Sequence, residues 1–197
     1  MSTKPPFAVV VTHTVRDFDT WKRAFDAHQP AREAAGFLGH HVNRGVDDPN
    51  RVSVYLPAVD RKRAEAFLAS DSLKMAMGEA GVTNKPEISL LTPVEDQHVS
   101  ERPTAAILLS HRVADFGAWK RVYDSVDSAR RNQGIIGHSV NQIADDPTSV
   151  LVYHQAETNA ELERFVASPT LEDAMQKAGV TSKPEITFVS ASVGVAY

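Results

Sequence analysis

The chain has 197 residues, 42% of them hydrophobic and 23% charged, with a formal net charge of −4 and no cysteine, a composition that excludes disorder and fibres. Scattered lysines and arginines exclude a nucleic-acid footprint, and the missing cysteines exclude disulfides, thiolate metal sites and a Cys nucleophile. No apolar run approaches the ~18 residues of a membrane span, and Met1 to Pro6 has no signal-peptide core, so the expectation is a cytoplasmic protein with neither membrane nor nucleic acid as partner.

The first element is Phe7 to Thr14, a β-rich run without alternation, which implies a strand covered on both faces. Asp17 then caps a helix whose apolar residues Phe18, Trp21, Phe25, His28 and Ala31 recur at helical spacing until Gly36. Phe37 to Val46 and Val52 to Leu56 form a hairpin over the turn Asp47-Asp48-Pro49-Asn50. A second helical region breaks at Ser70 and stops at Gly81. Lys85-Pro86-Glu87-Ile88 announces a last strand, and the polar stretch 93–104 reads as a linker.

From residue 105 the same elements recur at a constant offset of 98 residues without a gap, as His111 stands to His13 and Pro184 to Pro86. Roughly two in five aligned positions are identical, so the chain is a tandem duplication. Asp115, Phe116, Trp119, Tyr123, Val126 and Ala129 repeat the first helical stripe up to Gly134. The turn Asp145-Asp146-Pro147-Thr148 repeats the hairpin, and Ser168-Pro169 repeats the second helix start as an N-cap and N1 pair. The expected division is 1–92, a linker 93–104, and 105–197.

Each copy is a βαββαβ unit, which is a ferredoxin-like α+β layer with both helical regions on one sheet face. A unit of about 86 residues buries a modest core alone, so the expected architecture packs the two sheets face to face within one chain. The segments His13-Thr14-Val15-Arg16-Asp17-Phe18-Asp19-Thr20-Trp21-Lys22 and His111-Arg112-Val113-Ala114-Asp115-Phe116-Gly117-Ala118-Trp119-Lys120 carry a resemblance, together with the Asp-Asp-Pro hairpins and the Ala-Gly-Val before Lys-Pro-Glu. The chain resembles the dimeric α+β barrel superfamily, in particular the antibiotic biosynthesis monooxygenase domain, once in each half. That resemblance implies an intramolecular barrel, as a pseudo-dimeric monomer or a homodimer of the whole chain. It also implies a helix–sheet gap that holds an aromatic ligand. The superfamily includes cofactor-independent oxygenases, polyketide cyclases, haem-using enzymes and members without assigned chemistry.

Candidate catalytic residues are histidines. Parity in the second hairpin pairs Val140 with Val152, and the same register sets His138 opposite His154, where the first copy has His40 and Leu56. Two imidazoles so placed can share or relay a proton. His28, on the helix face toward the sheet, stands where the second copy has Val126, and joins His40 as the alternative pair. Candidate substrate-binding positions are His13 and His111 at the strand ends, Trp21 and Trp119 on the helix faces, and Tyr55, Tyr153, Asn43 and Asn141 on the opposite sheet face. For Trp21 and Trp119, core packing is the competing role. Neither a phosphate loop nor a nucleophile elbow occurs, and no metal or other cofactor is expected.

The functional expectation is a cofactor-independent monooxygenase or polyketide cyclase that acts on an aromatic or polyketide-like small molecule with His as general base. The alternative is a non-enzymatic small-molecule-binding or stress-associated module.

Overall fold

The computed structural model describes residues 4–197. The first copy contains β1 (Phe7–Thr14), α1 (Phe18–Ala27), α2 (Gln29–Ala34), β2 (Gly39–Gly45), β3 (Arg51–Ala58), α3 (Arg61–Leu68), α4 (Asp71–Glu79) and β4 (Glu87–Gln97). The second contains β5 (Thr104–Arg112), α5 (Phe116–Ser125), α6 (Asp127–Asn132), β6 (Gly137–Ile143), β7 (Asp146–Ala156), α7 (Asn159–Val166), α8 (Pro169–Lys177), β8 (Glu185–Ala191) and the short β9 (Val195–Ala196). The strand orders are β4-β1-β3-β2 and β8-β5-β7-β6, the ferredoxin-like arrangement in each copy. β1 is central, antiparallel to both β3 and β4, which explains its unbroken apolar run.

The expected helix starts hold. Asp17 accepts from Thr20 N and Asp115 from Ala118 N, while Ser70 and Ser168 cap α4 and α8. The expected single first helix does not hold, because it divides at His28 and at Val126. Pro30 lies in the first turn of α2, but the second copy has no proline there, and one contact is common to both. Buried Arg32 donates through Nη1 to the Phe25 carbonyl at 2.7 Å, and Arg130 does the same to the Tyr123 carbonyl. Each guanidinium bonds a carbonyl whose N–H partner four residues on, in a continuous helix, is lost at the break.

The expected linker is also revised. Residues 93–97 continue β4 as strand, with alternate Leu91 and Pro93 buried. The chain forms two compact units, one of residues 1–91 with 191–197, the other of residues 92–190. The N-terminal unit therefore keeps the tail, whose β9 pairs with β2 through Gly39↔Ala196 and His40↔Val195. Gly39 permits that approach, since a Cβ there would sit 2.3 Å from the Val195 carbonyl oxygen. In the second hairpin β7 begins at Asp146, earlier than expected, and a register shift at Gln142/Ile143 absorbs the difference.

Candidate functional site

Each unit has a pocket of about 50 Å³ between its helices and its sheet. In the C-terminal unit α5 supplies one wall as an aromatic ladder at helical spacing. Phe116 and Trp119 stack with centroids 5.6 Å apart, and Trp119 and Tyr123 with centroids 4.9 Å apart. His111, at the end of β5, lies 5.6 Å from the Trp119 ring. His154 and Val152 on β7 form the floor, and Leu171 and Met175 on α8 close the other side. The N-terminal pocket repeats this with Trp21, Phe25, His13, Leu56, Phe67 and Met77. Trp21 and Trp119, each 3% exposed, are thus both core residues and pocket walls.

Of the exchanges between the pockets, one is a coupled pair: Phe25 and Leu56 in the N-terminal unit become Tyr123 and His154 in the other. Tyr123 Oη and His154 Nε2 are 3.1 Å apart, so the second polar group answers the desolvation of the first. His154 Nδ1, both nitrogens of His111 and Gln133 Oε1 are buried around the same pocket with no hydrogen-bond partner. In the N-terminal unit the corresponding unpartnered atoms are both nitrogens of His13 and Nη2 of Arg32.

The expected register is the one observed, with His138 paired to His154 and their ring centroids 6.5 Å apart. The two imidazoles nevertheless have separate partners and face different cavities. His138 Nε2 donates to Glu95 Oε1 at 3.1 Å, and Glu95 also accepts an ion pair from Lys120 at 2.7 Å. His138 lines a polar cavity of about 80 Å³ with Gln97, Asp127, Arg130 and Arg131, whereas His154 lines the apolar pocket. The Arg130 guanidinium, 3.7 Å from the centroid of the Tyr123 ring, borders both cavities.

Burial lowers the pKa of His154 well below the usual imidazole value, and positive Arg130 acts the same way. Burial alone takes His13 and His111 down to about 4. His138 is also lowered by burial, with Glu95 pulling the other way. Burial raises Glu95, but the hydrogen bonds from Lys120 and His138 outweigh it and keep the carboxyl below its usual range. The Tyr123 phenol is pushed up by burial and is protonated.

The other candidates separate. His40 bonds through Nδ1 to Tyr197 Oη at 2.8 Å and is lowered to about 4, chiefly by burial. His28 caps the end of α1, lines the N-terminal pocket, and has Nε2 3.3 Å from Ser72 Oγ. Tyr55, Tyr153 and the buried Asn43 and Asn141 lie on the opposite sheet face and line neither helix–sheet pocket. Three residues important here had no role assigned from sequence: Arg130, Glu95 and Tyr123. Arg130 carried one signal, a charge retained at a helix position in both copies. Among the described residues no group of three or more His, Asp or Glu is placed to hold a metal, and no helix is long and apolar enough to cross a membrane.

No protein-family model and no curated protein matches the chain. Among solved structures, an anthrone oxidase-like protein aligns with TM-score 0.67 and 13% identity over 96% of this chain and 92% of its own. A candidate monooxygenase from Fusobacterium nucleatum aligns with TM-score 0.68 and 9% identity over 100% and 96%. A ferredoxin-fold protein from Listeria monocytogenes, described as related to antibiotic biosynthesis monooxygenases, aligns with TM-score 0.56 and 7% identity over 93% and 94%. The fold is thus that of the dimeric α+β barrel proteins, two ferredoxin-like repeats in one chain.

Proposed function

We propose that the C-terminal unit is a cytoplasmic oxygenase or cyclase site for an aromatic or polyketide-like molecule, which acts without a bound cofactor and with His154 as proton acceptor. The observation that carries this reading is the set of buried, unpartnered polar atoms of His111, His154 and Gln133 around a largely apolar pocket. Buried polar groups are as a rule satisfied, and a ligand bearing oxygens would satisfy these.

With its proton on Nε2 and directed to Tyr123 Oη, His154 presents the Nδ1 lone pair to the pocket. Its lowered pKa disfavours an isolated imidazolium. An enolate or phenolate formed beside it offsets that, because opposite charges stabilise each other strongly in an apolar surround. The step breaks a substrate C–H or O–H bond, forms Nδ1–H, and leaves the electron pair delocalised on the substrate. That anion then reduces dioxygen or attacks an internal carbonyl. A pocket of about 50 Å³ holds only a few waters, so a polycyclic ligand requires α8 to shift, and none of that helix's residues is buried.

Anthrone serves as the probe. Its oxidation consumes one dioxygen and yields anthraquinone and one water, so oxygen uptake reads turnover. His154→Leu, which copies Leu56, should lower turnover about 10²-fold or more while the protein stays folded, as expected when a positioned base is removed. Unchanged turnover in the folded variant would transfer the role to His28 and His40. Neither turnover nor binding of anthrone by the native protein would favour the binding-module reading.

A further inference from the structure

The N-terminal unit fills with its own tail a space that the C-terminal unit leaves open. The Tyr197 phenol oxygen accepts from Arg32 Nε at 2.6 Å and lies 2.8 Å from His40 Nδ1. Because it already accepts from Arg32, its hydroxyl proton is available to His40. The Arg32 guanidinium sits 3.7 Å from the Phe25 ring centroid, and the Arg130 guanidinium sits 3.7 Å from that of Tyr123, so the repeat reproduces the arginine's position. The offset of 98 aligns Tyr197 with Val99, which brings no phenol. At that place the C-terminal unit has the polar cavity of about 80 Å³ lined by Gln97, Arg130, Arg131, Gly137 and His138.

Two atoms in this cavity match the pair that hold the Tyr197 hydroxyl. Arg130 Nε, equivalent to the Arg32 donor, is buried with no partner, in a residue only 5% exposed. His138 Nδ1 is equivalent to the His40 acceptor. Glu95 takes the proton on His138 Nε2, so Nδ1 carries the lone pair.

We infer that the polar cavity of the C-terminal unit binds the phenolic hydroxyl of a small-molecule ligand, with Arg130 Nε donating to the oxygen and His138 Nδ1 accepting its proton, as Arg32 and His40 bind Tyr197. Asp127, paired with both Arg130 and Arg131, and Glu95, against His138, together offset the two guanidiniums, and His138 Nδ1 needs a donor, so the ligand is a neutral phenol rather than a phenolate or carboxylate. The site is distinct from the apolar pocket and does not depend on the oxygenase or cyclase reading.

The test is a titration of the full chain with p-cresol, followed by amide and methyl NMR, with toluene as the ring lacking a hydroxyl. p-Cresol should saturate one site and shift the Ile136 and Gly137 amides, and toluene should not. His138→Phe should weaken this site at least about tenfold, the scale of one lost hydrogen bond. Tyr197→Ala should open a second p-cresol site that shifts the Leu38 and Gly39 amides, whereas Tyr197→Phe, which keeps the ring in place, should not. No shift at Gly137 up to the solubility limit would overturn the inference. So would equal binding of toluene, or shifts confined to Leu171 and Met175 of the apolar pocket. The native titration requires no variant, and its outcome at Gly137 is independent of whether anthrone is turned over.

Discussion

The buried histidines make stability depend on pH within a narrow window. His13, His40 and His111 are 3%, 3% and 6% exposed, and each is lowered from 6.5 to about 4 in the folded protein. In the unfolded chain they bind protons as pH falls through 6.5, while the folded protein leaves them neutral until about 4. Their contribution is thus fully present above 6.5 and is lost as the pH falls toward 4. At pH 5 the loss is about 2 kcal/mol per residue, or roughly 6 kcal/mol for the three, at ~1.4 kcal/mol per pH unit. His154 and His138 act in the same direction. A loss of that size is comparable to the whole stability of a typical domain, ~5–15 kcal/mol. Urea unfolding at pH 7.5, 6 and 5 should show the midpoint falling by about 2–3 M for a slope of about 2–3 kcal/mol/M. His13→Phe and His111→Phe should each remove about a third of the fall. A midpoint that moves by less than about 0.5 M would refute the reasoning, because it would mean that the imidazoles are protonated as readily inside the fold as outside it.

The local rules carried much of the fold. Asp17, Asp115, Ser70 and Ser168 cap where the sequence placed them, and Gly36, Gly81, Gly134 and Gly179 adopt positive φ just after helices. The His138–His154 register followed from the parity of Val140 and Val152, since a slip of one residue would have turned both histidines to the other face. What escaped the sequence was set by groups distant along the chain. The breaks at His28 and Val126 coincide with arginines that reach back to the carbonyls of Phe25 and Tyr123. Glu95, which fixes the His138 tautomer, lies in a stretch whose polarity suggested a linker, although Leu91 and Pro93 alternate as a strand should. The two paired histidines turn to different partners, His154 to Tyr123 and His138 to Glu95, and strand parity cannot report that. The exchanges Phe25 to Tyr123 and Leu56 to His154 were each visible in the repeat, but only their 3.1 Å contact shows them to be one change.

Two further predictions concern the polar groups of the C-terminal unit. Glu95→Gln should lower the His138 pKa further, since burial then acts without the opposing carboxylate; an unchanged or raised midpoint for the His138 ring protons in an NMR titration would contradict that assignment. The last concerns the Tyr123–His154 pair, tested by converting it to the Phe and Leu of the other repeat. Tyr123→Phe alone leaves His154 with both nitrogens unpartnered, and His154→Leu alone leaves a buried phenol hydroxyl without its partner, each a cost of about 1–3 kcal/mol. The double variant removes both polar groups and installs a pair that the N-terminal pocket already accommodates, so its stability should return to within about 1 kcal/mol of the native value. The coupling energy from a double-mutant cycle in urea at pH 7.5, the sum of the two single costs less that of the double variant, should therefore be about 1–6 kcal/mol. Strict additivity of the two single variants would show that the 3.1 Å contact does not join the two residues energetically, and the coupled exchange between the repeats would then need another cause.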